Sequence, residues 1–272
     1  MSDDLVSIIM LSHNRGRFVE ETVRSVINQT YKNWEVLFVD DCSDDNSVSE
    51  ILTIKDVDDQ QRSNEFQNWN RSKVTRIRVM KMSSRQGDAK NRNSALKEAK
   101  GRWVAFLDVG DVWVSDKLEK QIRFMEENGY AFSYTKYGLM NEKSQDRRVV
   151  IGGKAHVNYK EMQKCCWPAY LTVMYDASKV GRMFIRNQGL NNDYALWLNV
   201  CEKVDCHLLP ENLATLRTKW SFLGNLFLTN KLKWRYDSYR IEEDFGPITS
   251  FLYAIRNGWY GLVKWMKYVE RA

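Results

Sequence analysis

Along the first 130 residues, short apolar runs alternate with stretches in which apolar residues recur every three or four positions. Residues 6–11, VSIIML, form a near-continuous apolar run of strand length, and Phe18, Val19, Val23, Val26 and Ile27 follow at helical spacing. A second strand is predicted over 34–39 and a second helix over 44–53, whereas 55–74, KDVDDQQRSNEFQNWNRSKV, is polar and predicts a surface excursion. Ile77 and Val79 alternate as a third strand. Residues 88–100, rich in Ala and Lys, predict a helix closed by Gly101 as its C-cap. Residues 103–107 read as a fourth strand, and 116–127 as a helix with Leu118, Ile122 and Met125 on one face. Strands alternating with helices predict an α/β fold, a mostly parallel sheet with helices on both faces.

Composition narrows the class. With 272 residues, 43% of them hydrophobic, the chain can bury a sizeable core. Five Cys, two of them adjacent (Cys165 and Cys166), fit neither a disulfide framework nor zinc spacing, and read as reduced core thiols. The opening MSDDLVSIIMLSH is acidic and only briefly apolar, unlike a secretory leader, and no apolar run approaches the ~18 residues of a membrane span. A cytoplasmic protein, soluble or peripheral, is expected. The net charge of +6 is uneven: 219–272 holds nine Lys/Arg against five Asp/Glu, or +4, with Trp220, Trp234, Trp259 and Trp265 interleaved. Two readings of this tail stay open, an aromatic-rich helical appendage packed on the core with its basic face in water, and a surface for anionic membrane.

Parallel α/β sheets bind ligands beyond the carboxyl ends of their strands. Three predicted strand ends carry polar clusters: Ser12-His13-Asn14-Arg15, Asp40-Asp41-Cys42-Ser43-Asp44 and Asp108-Val109-Gly110-Asp111. Carboxylates crowded on one edge repel unless a cation or a hydrogen-bonding ligand satisfies them. Asp44 and Asp116 suit helix N-caps, but capping does not account for all of them. The dinucleotide fingerprint, the P-loop, the H-E-x-x-H zinc motif and the G-x-S-x-G elbow are absent from the sequence. Carboxylate chemistry remains, with a hard cation as its natural partner.

The run VSIIMLSHNRGRFVEETVRSVINQTYKNWEVLFVDDCSDD resembles the opening of the family 2 glycosyltransferases of GT-A fold. The likeness continues through Gly87, Arg92-Asn93, FLDVGD and Asn192-Asp193-Tyr194-Ala195-Leu196-Trp197, roughly residues 5–215. It implies a GT-A, Rossmann-like domain over 1–218 followed by a C-terminal helical extension over 219–272. It also implies inverting transfer of a sugar from a nucleotide diphosphate sugar, commonly UDP-linked, to a hydroxyl of a polysaccharide, glycolipid or other glycan, with no nucleic-acid partner. By the same resemblance Asp41 accepts the imide N–H of the base; Leu11, Ser12, His13 and Asn14 belong to the nucleotide-sugar site; and Arg92 and Asn93 face the nucleotide. A solvated helix surface is the ordinary alternative for the last two.

The family's Asp-x-Asp-Asp reads Asp108-Val109-Gly110-Asp111 here, so Gly110 stands where relatives carry a carboxylate tied to a divalent cation. Three outcomes stay open: Asp108 and Asp111 hold Mn²⁺ or Mg²⁺, basic side chains replace the metal, or metal binding is lost. Asp193 is implied as the general base on the acceptor hydroxyl, and suits an N-cap as well; Asn192 stands where the family has Glu. Beside the enzyme reading stand a non-catalytic sugar-nucleotide-binding relative, suggested by Gly110, and a docking module built on the basic tail.

Overall fold

The computed structural model describes residues 4–65, 75–185, 193–218, 229–241 and 243–271. Strands β1 (Val6–Ser12) and β2 (Trp34–Asp40) are buried along their whole length, as continuous apolar runs require of strands covered on both faces. They pair in parallel, Val6 opposite Trp34 and Ser12 opposite Asp40. Helix α1 (Gly16–Ile27) leaves β1 and helix α2 (Ser47–Glu65) leaves β2. Strand β3 (Ile77–Lys81), helix α3 (Asp88–Glu98) and strand β4 (Trp103–Phe106) follow, in the sheet order β4-β1-β2-β3. All these pairings are parallel, so β1, β2 and β4 end on one edge.

The later chain departs from a parallel sheet. Strand β5 (Val112–Trp113), helix α4 (Lys117–Asn128), strands β6 (Phe132–Met140), β7 (Asp146–Ile151) and β8 (His156–Val157), helix α5 (Tyr159–Lys164), strand β9 (Met174–Asp176), helices α6 (Ala177–Val180) and α7 (Asp193–Cys201) and strand β10 (Cys206–Arg217) follow in order. β9 joins β4 antiparallel, β6 joins β9 antiparallel, and β10 runs parallel to β6. The sheet is therefore mixed, parallel where helices connect its strands and largely antiparallel where they do not.

Alternation along β1 divides the core. Ile8 and Met10 face α1 and α4 in one cluster; Ile9 and Leu11 face α3 and α7 in the other. Helices thus cover both faces. Helices α8 (Thr229–Ile241) and α9 (Pro247–Tyr268) join the second cluster through Tyr239 and Ala254. The buried Tyr194 and Tyr239 hydroxyls lie 3.0 Å apart, and Asn257 Nδ2 donates to both. Strand β11 (Val269–Arg271) then pairs antiparallel with β7 at the sheet edge.

Four sequence expectations change. Helix α2 runs through the polar stretch to Glu65, supported by a Lys55–Asp59 pair one turn apart (2.7 Å) and by Arg76 paired to the buried Asp58 (2.7 Å); 66–74 lie outside the described residues. Gly101 is not a C-cap: α3 ends at Glu98 and Ala99 is extended. A Cβ on Gly101 would sit 2.5 Å from Leu5 O, so close backbone approach requires glycine there. Asp44 is not the cap of α2; Asp45 is the acceptor, from Ser47 N and from Gly16 N, each at 2.8 Å. Asp116 occupies the N-cap position of α4 without a capping hydrogen bond, and pairs with Lys120 at 2.9 Å. None of the five cysteines is disulfide-bonded, and Cys165, Cys201 and Cys206 are buried.

Candidate functional site

The loop after β1 and the loop after β2 are joined by the backbone. Asp41 N donates to Ser12 O (2.9 Å), and His13 Nδ1 lies 3.0 Å from Asp41 O. Asp40 fixes the turn, accepting from Ser43 N (2.9 Å) and Ser43 Oγ (2.5 Å). Asp41, nearly buried, accepts from Gln86 N (2.8 Å) and Gly87 N (3.2 Å) at the entrance to α3. Burial pushes its carboxyl up, but those amides, the Asn91 side chain and the neighbouring His13 outweigh it and hold it below the ordinary carboxylate range. Asp41 is thus an ionised acceptor with capacity left for a further donor. Beside it Ser12 Oγ and Asn91 Oδ1 are buried without a hydrogen-bond partner, as polar atoms reserved for a ligand would be.

The FLDVGD turn lies alongside, with Val109 N donating to Leu11 O (2.9 Å). Asp108 is held by Arg92 through two hydrogen bonds of 2.9 Å each, and the Arg92 guanidinium stacks 3.6 Å from the Tyr170 ring centre. Asp88, one turn before Arg92 on α3, has its carboxyl raised by burial, with the charges of Asp108 and Asp41 adding to the effect against Arg92. Asp88 therefore lies within reach of both Asp41 and Asp108 across the strand ends.

Gly110 has φ +114°, a conformation L side chains rarely adopt. Its N–H donates to Thr22 Oγ1 (2.9 Å), and its carbonyl accepts from Arg217 Nε (2.7 Å). Asp111 Oδ1 accepts from Arg217 N (2.8 Å); its carboxyl is pushed up to about 8, by burial first and by the Asp108 charge. The buried Arg217 guanidinium also reaches Glu21 (2.5 Å), Asn141 O (3.0 Å) and Ser144 Oγ (2.9 Å). Beyond the turn, His13, Asn14, Arg15, Arg17, Phe18, Asp45 and Asn46 line a cleft of about 400 Å³.

A profile of glycosyl transferase family 2 matches residues 7–186. The chain belongs to that family. The chain is 36% identical over 230 residues to the putative teichuronic acid biosynthesis glycosyltransferase TuaG of Bacillus subtilis, covering 84% of this chain and 83% of that one. It is 31% identical over 260 residues to the UDP-Glc:alpha-D-GlcNAc-diphosphoundecaprenol beta-1,3-glucosyltransferase WfgD of Escherichia coli, covering 94% and 92%. Its fold is that of the mannosyltransferase PcManGT of Pyrobaculum calidifontis, solved with GDP-Man and Mn²⁺: TM-score 0.62, 13% identity, 96% of this chain and 72% of that one.

In this family 2 glycosyltransferase the fold brings Leu11, Ser12, His13, Asn14, Asp41, Asp108 and Asp111 to one edge. Two expectations need correction. Arg92 is neither solvated nor open to a ligand at both ends of its fork, because Asp108 occupies it. Both polar groups of Asn93 are taken by the Ile185 backbone, N and O at 2.9 Å each, so Asn93 secures that segment. Asp193 opens α7, and its side chain lies outside the described residues. Asp88 and Arg217 were not read from the sequence. Asp88 had a signal, an acid one helical turn before Arg92; Arg217 had none, since it lies 107 residues beyond Gly110.

Proposed function

We propose that this glycosyltransferase moves a sugar from a UDP-sugar to a hydroxyl of a lipid-linked or growing glycan, with inversion, working at the cytoplasmic membrane surface. The observation that carries the donor reading is the ionised Asp41, fixed by the Gln86 and Gly87 amides beside the unpartnered Ser12 Oγ and Asn91 Oδ1. A carboxylate accepts an imide N–H well, and the two orphaned atoms offer partners to a base or ribose. WfgD, by its name a UDP-Glc enzyme with a diphosphoundecaprenol-linked acceptor, supports the same donor and acceptor classes.

Among the described residues no three His, Cys, Asp or Glu side chains gather into a metal cage. A cation of the Mg²⁺ or Mn²⁺ type needs only one or two carboxylates when phosphate oxygens complete its shell. Asp108, its side chain 34% exposed and its second lone pairs open beyond the Arg92 fork, and Asp88 beside it, at the surface although its carboxyl is partly desolvated, fit that demand. By contrast, burial pushes the Asp111 carboxyl up to about 8 and favours its neutral form. When bound, the cation neutralises charge on the leaving nucleoside diphosphate. Arg92 fixes the Asp108 carboxylate for that task, and the cleft lined by His13 and Asn14 also holds Arg15 and Arg17, the latter paired to Glu142. Asp193 takes the proton from the attacking hydroxyl, and a single displacement inverts the anomeric carbon.

The test is a donor panel of UDP-glucose, UDP-N-acetylglucosamine and GDP-mannose, read by thermal shift and by transfer, with Mn²⁺ and with chelator. A UDP-sugar at 100-fold its Kd adds about 2.7 kcal/mol of stability. An unchanged melting temperature with every nucleotide overturns the donor reading, and full transfer in chelator overturns the metal.

A further inference from the structure

Helix α9 faces the wrong way for a helix that completes a core. Its buried residues are Ser250, Ala254 and Asn257, small or polar. Ile248, Phe251, Leu252, Ile255, Trp259 and Met266 are between 49% and 77% exposed. At 100° per residue these six fall within an arc of about 100°, opposite the buried positions. The most apolar stripe of the helix is thus its solvent side, running some 27 Å from Ile248 to Met266 at ~1.5 Å per residue.

Charge selects among occupants. Residues 247–268 contain no acid, and of their three cations Lys267 is exposed, whereas Lys264 donates to the Cys166 and Trp167 carbonyls and Arg256 lies 3.8 Å from the Tyr253 ring centre; Lys233 on α8 is exposed as well. A second copy of this face would bring like charges together. An anionic lipid surface takes both features, apolar side chains in the acyl boundary and cations among the headgroups. Among the described residues no helix is long and apolar enough to cross a membrane, so α9 would lie in the interface.

We infer that α9 docks this enzyme on anionic membrane through the stripe Ile248, Phe251, Leu252, Ile255, Trp259 and Met266. The inference deepens the proposed membrane-surface setting and rests on that reading. Because Tyr268 leads directly into β11, and β11 pairs with β7, docking of α9 fixes the catalytic sheet relative to the bilayer.

The test uses the full chain with vesicles of phosphatidylcholine alone or with added phosphatidylglycerol. Flotation is expected with the anionic vesicles, weakening as salt rises. The variant F251E/I255E/W259E, changed only at exposed positions, loses binding at least tenfold, and K267E loses roughly fivefold. Brominated acyl chains quench wild-type fluorescence more than that of W259F. The inference is overturned by no flotation, by flotation unaffected in the triple variant, or by a dimer that the triple variant dissociates without any vesicle binding. UDP-induced thermal shift is measured on the same variants. Its retention with vesicle binding lost separates the docking face from the donor site, and its absence in wild type counts against the donor reading alone.

Discussion

At the residue scale two substitutions separate the structural bonds of Asp41 from its proposed role on the base. Asp41→Asn keeps the shape but cannot accept from both amides and an imide as an ionised group does, and Asp41→Ala leaves Gln86 and Gly87 N–H groups unpaired. Both variants are expected to lose the UDP-induced thermal shift, and Asp41→Ala also to melt lower without nucleotide, by about 1–3 kcal/mol. Asp193→Asn should retain donor binding and lower transfer roughly 10²-fold, the scale of general-base catalysis; turnover within a few-fold of wild type would leave Asp193 a capping role. Lys117 offers a pH test away from the site. It is fully buried, donates to Gln121 Oε1 (2.6 Å), lies 4.4 Å from the Trp113 ring centre, and burial lowers it to about 7. Unfolded, it titrates near ~10.4. Between these values the unfolded chain binds more protons, so this residue makes stability rise with pH from about 7 upward, and its burial cost is fully present below. Denaturant unfolding at several pH values should show wild type gaining on Lys117→Met across that window; parallel curves would reject a neutral buried lysine.

At the scale of elements, the FLDVGD turn depends on parts far apart in the chain. Thr22 from α1 and Arg217 from the end of β10 hold it from opposite sides, and Gly110 supplies the positive φ. A Cβ at 110 would lie 3.5 Å from Arg15 Nη1 and 3.9 Å from Arg217 Cδ. An aspartate there would meet Arg15 first. Gly110→Asp is therefore expected to cost on the order of 1 kcal/mol in stability, from the strained φ, without sharpening the Mn²⁺ requirement. A lower Mn²⁺ concentration for half-maximal transfer would contradict this and return the third position of the motif to the metal. Arg217 has four hydrogen-bond partners besides its backbone, and truncation strands Glu21 with them.

At the scale of the whole molecule, the sheet joins the edge of the proposed donor site to the lipid-facing candidate. β1, β2 and β4 carry the polar loops, while β7 and β11 at the far edge receive α9. The Tyr194–Tyr239–Asn257 cluster ties α8 and α9 to α7, the helix that Asp193 opens. Asn257→Leu should lower the melting temperature, because the two tyrosine hydroxyls lose a buried donor at a cost of about 1–3 kcal/mol. It should also reduce transfer more than donor binding, since α7 carries the proposed base. Equal losses in both would confine the cluster to stability.

The parallel half of the fold was legible in the sequence because local signals suffice there. Continuous apolar runs specify strands buried on both faces, helical spacing specifies their covers, and polar strand ends specify the edge where the polar loops gather. The same locality revealed Ser12, His13, Asp41 and Asp108 as neighbours. What the sequence could not order was anything decided by pairing across the chain. Strand β7 is half-buried, β9 has three residues, and β6, though mostly buried, pairs with strands far along the chain, so their patterns do not name their partners. Gly101 and Gly110 look alike in sequence, yet one serves a close approach and the other a positive φ. Arg92 reads as a nucleotide-facing or a solvated helix residue until Asp108 is set against it, and Arg217 reads as the end of a strand until the Gly110 turn is. The apolar residues of α9 mark a helix with one greasy face, and by spacing alone that face belongs inside. Only tertiary packing, which gives Ser250, Ala254 and Asn257 to the core, turns it outward.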